Sequence, residues 1–328
     1  MENEELLQEF SSATAKIKEQ IHRDIIGQDE VVDTVVTAII AGGNVLLEGV
    51  PGTGKTRIVR SMGQTLSLSF SRIQFTPDLM PNDVTGTNII RKDSDGSLVS
   101  SFRKGPIFSQ IVLADEINRA TPKTQAAMLE VMQEHKVTVS GVSYPMDEPF
   151  FVLATQNPIE QDGTYPLPEA QMDRFMFKVN MAYPTEKELA DIVNLTQETQ
   201  KERAEKVVDG ETILHMRKLA TQVPVIEDVL NYAMKLIHKT HPEVDKTSEV
   251  AKKYIKFGAS PRACQALITG AKIRALMKGN FNVSYEDIDA LALPVLRHRI
   301  KLTYSAINDN LTVDDVINKL IEETHKGK

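Results

Sequence analysis

Apolar positions in the first 24 residues recur at steps of three and four. Leu6, Phe10, Ala13, Ile17 and Ile21 line one stripe, which predicts a helix packed by one face. A second helix is predicted from Val31, Val32, Val35, Val36, Ile39 and Ile40, stopped by Gly42 and Gly43. From Asn44 the pattern changes to short apolar runs between helical stretches, as in a parallel sheet covered on both faces. Five runs read as buried strands, 44–48, 71–75, 110–115, 150–155 and 175–181, with helices starting near Thr56, Pro122 and Glu169. Two stretches are not simple connections. Residues 76–103 form a long polar segment with Pro77, Pro81, Gly86 and Gly96, and 136–146 alternates Val137 and Val139 around a turn near Gly141, a hairpin pattern. Past Tyr183 and Pro184 the strand pattern ends, Thr185 and Glu188 make a capping box, and the remainder reads as helix, with further caps at Ser284/Asp287 and Thr312/Asp315. The expected division is an α/β unit over 1–183 and an all-α unit over 184–328.

Composition narrows the classes. A chain of 328 residues, 41% hydrophobic and 25% charged, has room for two cores. A formal net charge of -7 argues against a broad basic face for nucleic acid, so none is expected as a partner. Cys264 is the single cysteine and suggests ordinary helix packing. The acidic start lacks the features of a signal peptide and no apolar run is long enough to span a bilayer, so a soluble, cytoplasmic protein is expected without membrane insertion. His238 and His241 sit three apart, but no third metal ligand accompanies them.

The chemistry begins after the first predicted strand. Gly49, Gly52 and Gly54, with Pro51 and Thr53 between them, let a loop curl so that backbone N–H groups point inward at phosphates, and the following helix start favours an anion. Lys55 is then expected at the β- and γ-phosphates and Thr56 at magnesium, with Arg57 the next residue of the helix. The third predicted strand ends in Asp115 and Glu116. Asp115 suits the metal, and Glu116 suits a base that orients and polarises the attacking water. Asn157 ends the next strand, where an amide reaches both γ-phosphate and water; its plainer reading is an Asn-Pro turn.

Dense matches over nearly the whole chain carry a resemblance to a known family. They include Ile26, Gly27 and Gln28, then 75–81, Asp83 with Gly86, 105–108, 115–120, 132–134, 154–158 and 163–175. On these the chain resembles the MoxR family of AAA+ ATPases. The resemblance implies an AAA+ P-loop fold, α/β with a five-stranded parallel sheet and flanking helices, followed by an all-α helical lid domain. It implies ring assembly, usually hexameric, and ATP-driven remodelling or maturation of client proteins, often with a partner carrying a von Willebrand factor A domain. The cofactors implied are ATP and Mg2+. By similarity Asn157 matches sensor 1, Arg174 the arginine finger that acts on a neighbour's nucleotide, and Arg262 sensor 2; Arg119 is the competing finger, and whether Arg262 serves its own or an adjacent subunit stays open. Ile26, Gly27 and Gln28 match the segment beside the adenine. The 136–146 hairpin corresponds to a pore-facing or substrate-facing insertion, but its only aromatic, Tyr144, is on the return strand rather than the tip. A nucleotide-gated binding switch shares these residues and is the alternative; a nucleic-acid translocase fits the acidic balance less well.

Overall fold

The computed structural model describes residues 2–50, 52–92, 97–158, 163–197, 204–244 and 248–326. Pro51 and Gly96 lie outside the described residues. Two helices, α1 (Glu2–His22) and α2 (Asp29–Ala41), lead into strand β1 (Val45–Glu48) and helix α3 (Lys55–Thr65). Gly42 stops α2 in a left-handed turn, its N–H bonded to the carbonyls of Ala38 and Ile39. Strand β2 (Phe70–Gln74) is followed by α4 (Pro81–Thr85) and a hairpin of β3 (Gly86–Lys92) and β4 (Leu98–Lys104). Next come β5 (Ile111–Asp115), α5 (Pro122–Glu134), a second hairpin of β6 (Lys136–Val139) and β7 (Val142–Pro145), and β8 (Phe151–Gln156). One helical turn, α6 (Glu169–Met172), precedes the last sheet strand, β9 (Phe177–Asn180).

The main sheet has the order β2-β5-β8-β1-β9, all parallel. Strand alternation sorts its side chains into two cores. Val45, Leu47, Ile111, Leu113, Phe151, Leu153, Phe177 and Val179 face one way, against α1, α2, α3 and the later helices. Leu46, Val112, Ala114, Val152 and Ala154 face the other, against α5 and the bases of the hairpins. Continuous apolar runs in the sequence are the direct result of burial on both faces.

The rest of the described chain holds α7 (Glu186–Gln197), α8 (Gly210–Gln222), α9 (Glu227–His238), α10 (Glu249–Tyr254), a short strand β10 (Ile255–Phe257), α11 (Pro261–Met277), α12 (Tyr285–Leu296), β11 (Lys301–Leu302), α13 (Tyr304–Asn308) and α14 (Val313–Lys326). The three expected capping pairs are made: Thr185 with Glu188, Ser284 with Asp287, and Thr312 with Asp315. One expectation needs correction: the region after Tyr183 is not entirely helical, because β10 and β11 pair antiparallel. The long polar segment 76–103 carries α4 and the β3–β4 hairpin, whose strand residues are mostly exposed on both faces and so show no apolar alternation.

The two hairpins touch one another. Phe102 stacks on Tyr144 with ring centroids 4.2 Å apart, and Asn88 Nδ2 donates to Ser140 Oγ at 3.1 Å. The turn of the second hairpin has left-handed Ser140 (φ 50°) and Gly141 (φ 81°), the twist-matched form for a two-residue loop. Val142 beside it is exposed.

Candidate active site

The ends of β1, β5 and β8 lie side by side because these strands are parallel neighbours, so the residues that follow them share one edge of the sheet. The loop after β1 takes left-handed geometry at Gly52 (φ 86°) and Gly54 (φ 89°), which a β-carbon would strain. Added β-carbons would meet nothing within 4 Å, so the loop opens onto free space. Gly54 caps α3, its carbonyl accepting the Arg57 N–H at 2.9 Å and the Ile58 N–H at 3.0 Å, so the start of the helix lies beside that space. Thr53 Oγ1 donates to Val50 O at 3.0 Å, and Lys55 Nζ donates to Gly49 O at 2.7 Å, folding the ammonium back over the loop. Thr56 lies in the same first turn, half-buried. Arg57 points away, its guanidinium 3.7 Å from Asp24 in the α1–α2 joint.

Asp115 ends β5 and its side chain is 10% exposed. Its Oδ1 accepts from the Thr155 hydroxyl at 2.6 Å, and Oδ2 accepts from Arg72 Nε at 3.0 Å and Nη2 at 2.6 Å. Thr155 in turn accepts the Glu116 N–H at 2.9 Å, so one hydroxyl ties both carboxylate residues to β8. Glu116 sits at φ 57°, ψ 49°, a left-handed conformation that glutamate seldom adopts. Its Oε2 accepts from Gln74 Nε2 and from Arg119 Nη1, each at 2.9 Å. Asn157, one residue past β8, is 5% exposed.

The remaining residues occupy two further places. Ile26, Gly27 and Gln28 form the turn before α2, near the first turn of the lid: Gln28 Nε2 donates to Ala182 O at 3.0 Å, and a β-carbon at Gly27 would collide with the Glu188 carboxylate. Bonds from the Thr185 N–H and hydroxyl hold the Glu188 carboxyl below the usual carboxylate range. Arg174 lies between α6 and β9 and donates Nη1 to Leu129 O at 3.0 Å, not to Asp173 or Glu169. Arg262 starts α11 in the lid, its Nη1 3.8 Å from Asp173 Oδ2. Arg119 is close to the carboxylates of its own chain and Arg174 is bonded elsewhere, at the opposite end of the last strand from the glycine loop.

Arg72, Gln74 and Thr155 were invisible to motif reading, since their partners sit on neighbouring strands. A signal existed all the same. Arg72 and Gln74 are two apart on β2, hence on one face, the face that carries Leu113 and Asp115 on β5. Among the described residues no group of three or more His, Cys, Asp or Glu is placed to hold a metal. One carboxylate and one hydroxyl instead match a magnesium that keeps waters and phosphate oxygens as its other ligands. No helix among the described residues is long and apolar enough to cross a membrane.

A parallel five-stranded sheet, a glycine loop after its first strand, a carboxylate pair after a neighbouring strand and a helical lid together define the AAA+ class of ATPases. The family model described as "ATPase family associated with various cellular activities (AAA)" matches residues 44–177, and the AAA lid domain model matches 247–320. The chain is 40% identical over 303 residues to the chaperone MoxR1 of Mycobacterium tuberculosis, covering 92% of this chain and 79% of that one. It is 39% identical over 309 residues to YeaC of Bacillus subtilis, with 93% and 92% covered. The crystal structure of a candidate ATPase from Cytophaga hutchinsonii superposes with a TM-score of 0.90 at 36% identity, over 98% of this chain and 97% of that one. The chain belongs to the MoxR family of AAA+ ATPases.

Proposed function

We propose that this chain hydrolyses ATP in a ring of identical subunits, hexameric as in related rings, and uses the cycle to remodel or mature a client protein in the cytoplasm. The observation that carries the ATPase half is the Thr155 hydroxyl, which binds Asp115 and the Glu116 backbone together at the sheet edge where the glycine loop opens. In this reading the loop, the Walker A element, holds the phosphates through Gly49, Gly52, Thr53, Gly54 and the first-turn N–H groups of α3, with Pro51 and Arg57 flanking. Lys55 leaves Gly49 O for the β- and γ-phosphates. Thr56 and Asp115, the latter the Walker B aspartate, would hold magnesium, which would supply positive charge to offset that of the phosphates. Glu116 accepts a proton from the attacking water and Asn157 orients that water against the γ-phosphate. Ile26, Gly27 and Gln28 contact the base, Arg262 reads the nucleotide from the lid, and Arg174 supplies charge to the neighbour's transition state.

Exposed Ile90, Leu98 and Val142 on the two cross-braced hairpins support contact with a protein client rather than with nucleic acid. The core is assigned to 1–183 and the lid to 184–328, and a partner with a von Willebrand factor A domain is expected alongside the client. The switch reading has one observation in its favour: Glu116 is bonded to Gln74 and Arg119, so a base held this way must be released before it serves.

Glu116→Gln tests the assignment. The variant should bind ATP with unchanged affinity and release phosphate about 100-fold more slowly or worse, the scale of a lost general base. It should also retain client and adaptor in a pull-down with ATP. Phosphate release at the unsubstituted rate rejects Glu116 as the base; intact hydrolysis with no effect of ATP on client structure favours the switch.

A further inference from the structure

Arg299, just past α12 in the lid, has a side chain only 2% exposed. Its Nε donates to Asp173 Oδ1 at 2.8 Å; Nη1 donates to Val295 O at 2.6 Å and Met176 O at 3.1 Å; Nη2 donates to Phe175 O at 2.7 Å and Asp173 O at 3.2 Å. A guanidinium has five N–H donors, and here five bonds are made. Burial pulls its basicity down while the Asp173 carboxylate opposes that loss. Beside it, His298 is buried and donates Nε2 to the same Phe175 carbonyl at 3.1 Å. Ser260, also in the lid, donates its hydroxyl to Asp173 at 2.8 Å.

All of these bonds but the one to Val295 end on Asp173, Phe175 or Met176, the residues around Arg174. The lid therefore grips the backbone on both sides of Arg174, whose own guanidinium reaches α5 instead. Apolar packing already joins the lid to the core through the shared sheet face. A buried guanidinium adds little to such adhesion, because its desolvation cancels most of its attraction. What four directed bonds from one guanidinium add is a fixed position for a four-residue segment.

We propose that Arg299 is the positioning residue for Arg174, so that the lid of one subunit sets the finger it offers to the next. This rests on Arg174 acting as that finger. It follows that the lid passes its position to the neighbour's site through the 173–176 segment.

The experiment compares Arg299→Lys, Asp173→Asn and Arg174→Ala in the full chain, by ATP turnover, ATP affinity and thermal melting. A single ammonium cannot reproduce the five-donor fork. Arg299→Lys should lower turnover at saturating ATP at least 10-fold while ATP affinity stays within two-fold. Mixed with Glu116→Gln subunits, which keep a sound finger but a dead site, it should regain turnover. Mixed with Arg174→Ala subunits it should not. That asymmetry is foreign to a merely structural role, which would weaken the variant's own nucleotide site and resist rescue. If Arg174→Ala loses turnover and is rescued by Glu116→Gln, but Arg299→Lys keeps full turnover or is not rescued, the positioning role is wrong and the finger stands. If Arg174→Ala keeps full turnover, the finger itself is wrong and this proposal falls with it. Should Arg299→Lys fail to fold, Asp173→Asn is judged by the same criteria.

Discussion

Asp115 keeps a nearly buried carboxylate at the sheet edge because both oxygens are matched, one by Thr155 and one by the Arg72 fork. Isolated, a charge so little exposed would carry a heavy desolvation penalty. The pair Asp115 and Glu116 is legible in sequence, since it is contiguous and ends a buried run. Arg72, Gln74 and Thr155 are not, because register across parallel strands brings them in, and register is a property of the sheet. His298 makes a second point at this scale. Burial first, and then the charge of Arg299, hold its imidazole well below the ordinary range, so the folded chain takes no proton there near neutrality. The unfolded chain does, below about pH 6.5. Stability from this residue is therefore complete above that pH and is lost as pH falls through it, at up to about 1.4 kcal/mol per pH unit until the folded-state value is reached. His298→Gln, which retains an N–H for Phe175 O, should flatten the fall in Tm between pH 7.5 and 5.5. An unchanged fall means another group titrates.

Among the elements, helices with capping boxes and strands buried on both faces were readable because each has a local period or terminal signal. The β3–β4 hairpin and the β10–β11 pair were not. Residues 86–92 and 98–104 are mostly solvent-exposed, so neither face selects apolar side chains, and their extended form comes from pairing with each other. At two or three residues β10 and β11 are too short to show any period. The helix expected near Glu169 is a single turn, held by Pro168 carbonyl bonds to the N–H groups of Gln171 and Met172. A test of the inter-hairpin brace follows from the Phe102–Tyr144 stack, which is near-parallel at 21°. A double-mutant cycle with Phe102→Leu and Tyr144→Leu should give a coupling of about 0.5–1.5 kcal/mol in denaturant unfolding. Simple additivity means the hairpins are independent.

Across the whole molecule the sheet face that carries Leu113, Leu153 and Phe177 also holds Ile213, Leu236, Leu267 and Leu320 of the lid in one apolar cluster. The all-α and α/β stretches divide cleanly in the sequence pattern, yet they share a core, because patterning reveals which face is apolar and not what covers it. Calorimetry of the nucleotide-free chain should accordingly give one unfolding transition; two resolved transitions mean that the lid melts alone.

Several bonds fasten that shared core, among them the Val207 N–H on Thr65 O and Arg297 on Lys178 O, and two clusters lie along one edge of the sheet. Arg217 of α8 donates to the Ile40 and Ile39 carbonyls at the end of α2 and reaches Glu148, which also binds His135. Arg299 holds the stretch leading into β9. Both fastenings lie where strands begin, and the glycine loop lies where β1 ends. Two such clusters along one edge define an axis. A lid pinned along one edge of a plate cannot slide across it without breaking those bonds, but it can swing, and the swing grows with distance from the pins. The far edge, where the phosphates would sit, is where a small rotation becomes the largest displacement.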